Sequence, residues 1–153
     1  MTQFNRLTKK QLGQLLIEDG VINQEQLQEA LELQKKKGGL IGELLVELGY
    51  ALEEDIVQAL TNQYGFPYLP LASYEIDQKV IEVIPEHVAR QYCLIPVDKV
   101  GKSLTLAMAN PLNIHAIEDI EIIANCTIQT FVSTSTDINQ SIDRYYKKES
   151  QKK

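Results

Sequence analysis

The chain has 153 residues, of which 44% are hydrophobic, and its formal net charge is −6. This length and hydrophobic content are sufficient for one or two small domains that each bury a core. The acidic balance argues against DNA, RNA or an anionic membrane surface as a nonspecific partner, because each of these requires a basic protein face.

The first half of the chain contains an internal repeat. Residues 12–34 recur at residues 41–63 with a constant offset of 29 positions, as in 42−13 and 63−34. The matching residues are Gly13, Leu16, Gly20, Leu27, Ala30, Leu31 and Gln34 in the first copy and Gly42, Leu45, Gly49, Ile56, Ala59, Leu60 and Gln63 in the second. In each copy a short apolar run ends at a glycine and a longer amphipathic run follows, which predicts two successive helix-turn-helix units.

The start of the longer helix differs between the copies. In the first copy, Asn23 can accept a hydrogen bond from the first turn and Gln26 can complete a capping box, so we expect a helix from there to about Lys37. In the second copy the cap position is Leu52, which has no side-chain acceptor. We therefore expect a weaker helix start, unless Glu53 or packing compensates.

Each copy ends its apolar stripe on a glutamine, Gln34 or Gln63, where the helical spacing calls for an apolar residue. One interpretation is that each carboxamide lies at a helix end and bonds a carbonyl group or water. The other is that both carboxamides and the nearby glycines face a ligand, because glycine permits a close approach and an amide both donates and accepts.

After residues 70–75 the pattern changes from helical repeats to alternating helices and strands. The predicted helices are residues 76–84, 85–91, 113–124 and 135–146, and the predicted strands are residues 93–97, 103–109 and 127–132. The expected fold is α+β: a tandem helix-turn-helix repeat followed by a small three-stranded sheet packed with helices. The expected division is 1–72 for the repeats, 73–148 for the α/β part and 149–153 for a disordered tail.

Residue patterns for catalysis or for metal binding are missing from the sequence. Cys93 and Cys126 lack CxxC spacing and lie among apolar residues, which predicts buried free thiols in a reducing compartment. Gly101-Lys102-Ser103 is no phosphate-binding loop, because Pro96 stands where that loop needs its first glycine; a hairpin turn is expected instead. We expect a non-enzymatic protein without a metal or a cofactor.

The chain has no stretch that is apolar enough for a membrane span and no signal-peptide hydrophobic segment. We therefore expect a cytoplasmic protein that does not insert into membranes.

The two repeats and the motifs after them resemble the MshEN domain, the N-terminal domain of bacterial type II secretion and type IV pilus assembly ATPases. The residues that carry the resemblance are Leu12-Gly13-x-x-Leu16-Ile17-x-x-Gly20 through Gln34, Ile41-Gly42-x-x-Leu45-Val46-x-x-Gly49 through Gln63, Tyr64-Gly65-Phe66-Pro67-Tyr68, Ile84-Pro85-Glu86, Ile95-Pro96-Val97, Leu104-x-Leu106-Ala107-Met108-Ala109-Asn110-Pro111 and Ile142-Asp143-x-Tyr145-Tyr146. Together these motifs cover nearly the whole chain.

The resemblance implies that cyclic di-GMP binds along the two repeats. The ligand-binding positions it implies are Gln11, Leu12, Gly13, Leu16, Gly20, Leu27, Leu31 and Gln34 in the first copy, and Leu40, Ile41, Gly42, Leu45, Gly49, Ile56, Leu60 and Gln63 in the second. In the family an arginine precedes the first Leu-Gly, whereas this chain has Gln11 there and Leu40 at the second copy. An uncharged residue at that position loses the stacking and phosphate contacts that arginine provides.

Two functions follow from the resemblance. The first is a sensor domain that binds cyclic di-GMP and changes its docking on a secretion or pilus assembly ATPase or on inner-membrane platform proteins. The second is a docking module of the same machinery that binds no nucleotide.

Overall fold

The structure is a computed structural model that describes the backbone of residues 12–151 and the side chains of residues 12–146. The first half consists of the two repeated helix pairs. Its helices are α1 (Leu12–Glu18), α2 (Gln24–Lys37), α3 (Ile41–Glu47) and α4 (Glu53–Tyr64). The predicted helix-turn-helix tandem is thus present, and α2 begins after Asn23 and ends at Lys37 as expected.

The second half contains a three-stranded sheet with helices around it. Its elements are a 3-10 turn (Leu71–Ser73), α5 (Gln78–Ile81), α6 (Glu86–Tyr92), β1 (Leu94–Val100), β2 (Ser103–Met108), α7 (Ile114–Ala124), β3 (Thr127–Val132) and α8 (Ser135–Gln151). The predicted α+β fold with a three-stranded sheet is confirmed.

The strand order is β1-β2-β3. β1 and β2 form an antiparallel hairpin whose turn contains Gly101 at a φ of 59°, as expected for this segment. α7 connects β2 to β3, which pair in parallel with Ser103 opposite Thr127. Residues 67–69 lie along the far edge of β3. There the Val132 N–H donates to the Pro67 carbonyl at 2.8 Å, and the Val132 carbonyl accepts from the Leu69 N–H.

Several predicted bounds in this half differ from the structure. α5 is shorter than residues 76–84 and begins two residues later than predicted, because the Asp77 carboxylate accepts from Lys79 N–H at 3.0 Å and caps the helix there. Cys93 has a φ of 53° and ends α6 instead of starting β1. β1 extends to Val100, beyond the predicted end at residue 97, because residues 98–100 continue to pair with β2.

The last helix also extends further than predicted. α8 continues past Tyr146 to Gln151, because the segment after Tyr146 contains no glycine or proline to stop it. The predicted tail therefore begins within this helix, and residues 152–153 lie outside the described part of the chain.

Two hydrophobic cores hold the molecule together, and they cross the predicted boundary at residues 72 and 73. The core of the repeats includes Leu112 and Val132 from the second half. The core of the α/β half includes Leu71 and is covered by Leu40 from the repeats. Each half therefore contributes side chains to the other.

Cys93 and Cys126 are buried free thiols, as predicted. Among the residues described, no helix is both long and apolar enough to cross a membrane. The same residues include no cluster of three histidine, cysteine or acidic side chains that could hold a metal ion.

Candidate ligand-binding cleft

The repeated glycines Gly13 and Gly42 both lie at close contacts within the helical half. A Cβ atom on Gly13 would stand 2.5 Å from Leu27 Cδ1, whereas one on Gly42 would stand 3.2 Å from Leu12 Cδ2 of the first copy and 3.5 Å from Ile56 Cδ1. Leu27 and Ile56 are equivalent positions of the two copies. Gly13 therefore allows α2 to pack tightly on α1, whereas Gly42 allows the Leu12 side chain of the first copy to approach α3 closely.

A cleft of about 160 Å³ separates the repeats from the α/β half. One wall contains residues from both copies of the repeat, and the opposite wall comes from α6, the segment after β2 and the segment after β3. The lining residues are Leu12, Gln34, Leu40, Ile41, Gly42, Glu43, Glu53, Ile56, Val57, Tyr92, Ala109, Asn110, Asn113, Ser133, Thr134 and Ser135.

Six of the sixteen residues implied by the resemblance line this cleft: Leu12, Gln34, Leu40, Ile41, Gly42 and Ile56. Four of the six belong to the second copy or to the residue just before it. The cleft is therefore built mainly around the start of α3, with one side chain from α1 and one from the end of α2.

The remaining described positions lie elsewhere. Gly13, Leu16, Leu27, Leu45 and Leu60 are buried in the core of the repeats, and Leu31 packs against that core. Gly20 and Gly49 are exposed and have positive φ values of 78° and 83°. Each lies two residues after the end of a short helix, α1 or α3, where a left-handed residue stops the helix from continuing. Gln11 lies outside the residues that the structure describes.

The two repeated glutamines have different surroundings. Gln34 donates from Nε2 to the Gly39 carbonyl at 2.9 Å and lines the cleft. Gln63 donates at 3.2 Å to the carboxylate of Asp19, a residue of the first repeat, and does not line the cleft. Gln34 thus bonds a carbonyl group, as the first interpretation expected, and it also faces the cleft, as the second expected. Gln63 does neither.

Two carboxylates give the cleft an acidic side. Glu43 and Glu53 both line it, and both act on the nearby Cys93. Burial is the main cause that raises the pKa of the Cys93 thiol to about 12, and the negative charge of Glu43 adds to the effect. An anionic group would be repelled at this side, whereas a neutral N–H donor would be bound.

Glu53 also connects the two halves of the molecule. Its carboxylate accepts a hydrogen bond of 3.0 Å from Thr136 N–H and a second one from the Thr136 hydroxyl, in the first turn of α8. A helix N-terminus has unpaired N–H groups that favour an anionic acceptor. Glu53 thus caps a helix of the α/β half from the first turn of α4.

The sequence did not identify the α/β wall of the cleft. Asn110 lies in a motif that the resemblance rests on and Asn113 follows that motif, but both asparagines also have a local role. Their Oδ1 atoms accept from Leu112 N–H and Ala116 N–H respectively. Ser133, Thr134 and Ser135 carry no pattern in the sequence that distinguishes them from a loop. Only the packing of the two halves places these residues opposite the repeats.

A family model described as the MshEN domain matches residues 64–152. The type IV pilus assembly ATPase PilB of Myxococcus xanthus is 36% identical over 135 residues, which are 88% of this chain and 24% of that protein. PilB of Thermus thermophilus is 32% identical over 139 residues, or 90% of this chain and 16% of that protein. The chain therefore spans about a quarter or less of the length of these curated relatives.

Two solved structures have a similar fold. A structure of MshE with cyclic di-GMP has a TM-score of 0.66 and 28% identity, and the match covers 90% of this chain and 99% of that one. The N-terminal domain of XpsE has a TM-score of 0.72 at 18% identity, covering 90% of this chain and 95% of that one. The second comparison establishes similarity of fold alone.

Proposed function

This chain belongs to the MshEN domain family, and from that premise we propose that it is a non-catalytic domain that binds cyclic di-GMP in the cleft between its repeats and its α/β half. The observation that carries the proposal is the convergence of residues from both repeats, Leu12 and Gln34 with Ile41, Gly42 and Ile56, on one cleft. The similarity to MshE, whose structure contains cyclic di-GMP, supports the choice of ligand.

The lining of the cleft suits a guanine base. Leu12, Ile41 and Ile56 provide apolar surface against which the face of a planar ring can pack. Guanine carries N–H donors on its pairing edge, and the carboxylates of Glu43 and Glu53 are acceptors of the matching kind. The Gln34 carboxamide can both donate and accept.

The size and charge of the cleft limit how much of the ligand enters it. Its volume of about 160 Å³ is below the roughly 300–1,000 Å³ of pockets that enclose a whole small ligand. We therefore infer that one base occupies the cleft and that the phosphates remain outside, away from Glu43 and Glu53. Gln11 and Leu40 provide no cation for those phosphates, so we expect weaker binding than a motif with arginine would give.

Type IV pilus assembly ATPases are the kind of protein to which the chain is similar. We infer that the domain works in the cytoplasm beside such an ATPase or beside the inner-membrane platform proteins of the same machinery. Ligand binding between the two halves would then change the surface that the domain presents to that partner.

The test is a calorimetric titration of the purified chain with cyclic di-GMP, together with Gln34→Ala and the matched control Gln63→Ala. Both changes remove the same carboxamide from equivalent repeat positions, but only Gln34 lines the cleft. We expect the unaltered chain to bind, Gln34→Ala to weaken binding by about tenfold, which is about 1.4 kcal/mol, and Gln63→Ala to leave it unchanged. Gln11→Arg should strengthen binding.

If both glutamine changes weaken binding equally, the ligand lies along both repeats and the proposed cleft is wrong. If neither the unaltered chain nor Gln11→Arg releases heat, the nucleotide proposal fails. The function would then be that of a docking module without a nucleotide.

A further inference from the structure

One aromatic side chain lines the cleft. Tyr92 is the last residue of α6, on the wall opposite the repeats, and among the described residues that line the cleft it is the only aromatic one. It is half-buried and packs against the core of the α/β half. The ring therefore lies between that core and the space where a ligand would enter.

A hydrogen bond from outside the cleft holds the far end of this ring. The Tyr92 hydroxyl donates to the carboxylate of Asp119, an exposed residue of α7 that does not line the cleft. This hydrogen bond is the main cause that raises the pKa of Tyr92, so the phenol stays neutral and remains a donor. A ring that is packed on one side and tethered at its tip has little conformational freedom left to lose when a ligand binds.

The two walls of the cleft suit the two faces of one planar base. Leu12, Ile41 and Ile56 provide apolar surface on the repeat side, and the Tyr92 ring is on the opposite side. A nucleic acid base stacks well on an aromatic side chain because every base has a π-face. Stacking leaves the edge of the base free for the carboxylates of the cleft.

We propose that Tyr92 stacks on the base of the bound nucleotide and that Asp119 is a positioning residue that holds the tyrosine ring in place. This inference rests on the proposed function, because it requires cyclic di-GMP to occupy the cleft. The base would then lie between apolar side chains of the repeats and an aromatic ring of the α/β half. The ligand would contact both halves of the molecule through the two faces of a single base.

The chain offers a matched control for the ring. Tyr50 is also half-buried, its hydroxyl donates to the Glu29 carboxylate at 2.6 Å, and it packs against the core of the repeats without lining the cleft. The test is a calorimetric titration with cyclic di-GMP. Tyr92→Leu keeps an apolar side chain on the core but removes the ring, and it should weaken binding by about tenfold. Tyr50→Leu should leave the affinity unchanged.

The role of Asp119 is tested by a double-mutant cycle. Tyr92→Phe and Asp119→Ala remove the same hydrogen bond and leave the ring present, so each should weaken binding by about threefold. The double variant should bind no more weakly than either single variant. Asp119→Asn retains an acceptor oxygen and should bind like the unaltered chain. Losses that add in the double variant would overturn the positioning role.

Nuclear magnetic resonance of the bound ligand separates stacking from a merely structural role. A tyrosine ring over the base shields the guanine H8 proton, so we expect an upfield shift of H8 in the complex and its loss with Tyr92→Leu. If Gln34→Ala weakens binding and Tyr92→Leu does not, the stacking role is overturned and the cleft stands. Equal losses from Tyr92→Leu and Tyr50→Leu would indicate general loosening of the fold and overturn it too. If neither the unaltered chain nor Gln11→Arg binds, this inference and the proposed function both fail.

Discussion

At the scale of single residues, Cys93 shows how burial beside two carboxylates alters a side chain that the sequence presents as an ordinary core thiol. It is 1% exposed and lies at a left-handed position at the end of α6, with Glu43 and Glu53 on the far side of the interface. Burial and these carboxylates raise the pKa of the thiol, and a hydrogen bond with Ser135 opposes part of that rise. The thiol is therefore held in its neutral form.

The raised pKa predicts a slow reaction with alkylating reagents. Raising the pKa from 9.0 to about 12 lowers the thiolate fraction near pH 8 by about two to three orders of magnitude. In a Cys126→Ser variant, iodoacetamide at pH 8 should label Cys93 much more slowly in the folded chain than in urea, as measured by mass spectrometry. Similar rates in the two states would contradict the burial of this group.

The same shift has a defined effect on stability. Because the folded-state pKa lies above the unfolded value, the stabilisation from the neutral thiol is fully present below about pH 9 and is lost as the pH rises towards 12. The contribution of Cys93 to the free energy of unfolding should therefore fall only in the alkaline range.

At the scale of elements, the two long helices of the repeats begin in different ways. Asn23 accepts from Gln26 N–H at 2.8 Å, and its own N–H donates to the Gln26 side chain at 2.9 Å, so α2 has the predicted capping box. At α4 only half of this arrangement exists: Leu52 N–H donates to the Asp55 carboxylate at 3.1 Å. Asp55, and not Glu53, thus provides the partial compensation, while Glu53 caps α8.

Leu52→Asn should complete the missing half of the box. Leu52 is exposed and has an extended backbone, with φ −99° and ψ 153°, as a cap residue requires. We expect the substitution to raise the free energy of unfolding by about 0.5–1.5 kcal/mol, measured by urea denaturation. Asn23→Ala provides the matched opposite change and should lower it by a similar amount. No gain from Leu52→Asn would show that packing already satisfies this helix start.

At the scale of the whole molecule, the two halves are joined by shared core residues and by the hydrogen bonds of Glu53. Leu112 and Val132 pack into the core of the repeats, and Leu40 covers the core of the α/β half. Glu53 adds a polar connection because its carboxylate caps α8. Because Glu53 also lines the cleft, a ligand there would contact the same group that holds the halves together.

Glu53→Ala should loosen this connection. Removing the carboxylate leaves Thr136 N–H without its acceptor, for which we expect a loss of about 1–2 kcal/mol in the free energy of unfolding. Amide hydrogen exchange should accelerate in the first turn of α8 more than in the sheet. Glu54→Ala, a change at the exposed neighbouring residue, is the control and should have little effect. Equal protection of α8 in both variants would show that the cores alone join the halves.

The sequence by itself determined the features that depend on neighbouring residues. The repeat, the capping box at Asn23, the turn at Gly101 and the existence of the α-helices and strands in the described part of the chain follow from spacing and local hydrogen bonding. The bounds that differ at α5 and β1 are places where a cap or strand pairing decides the last residues. α8 continues further because no glycine or proline stops it.

Only the tertiary structure decided which of these residues meet. Equivalent sequence positions are not equivalent in space: Gln34 lines the cleft, while Gln63 pairs with Asp19. The residues of the opposite wall, which fall between Tyr92 and Ser135, lie far along the chain from the repeats that they face. A repeated pattern specifies each helix pair, but the two copies pack against different neighbours, and that asymmetry creates one cleft.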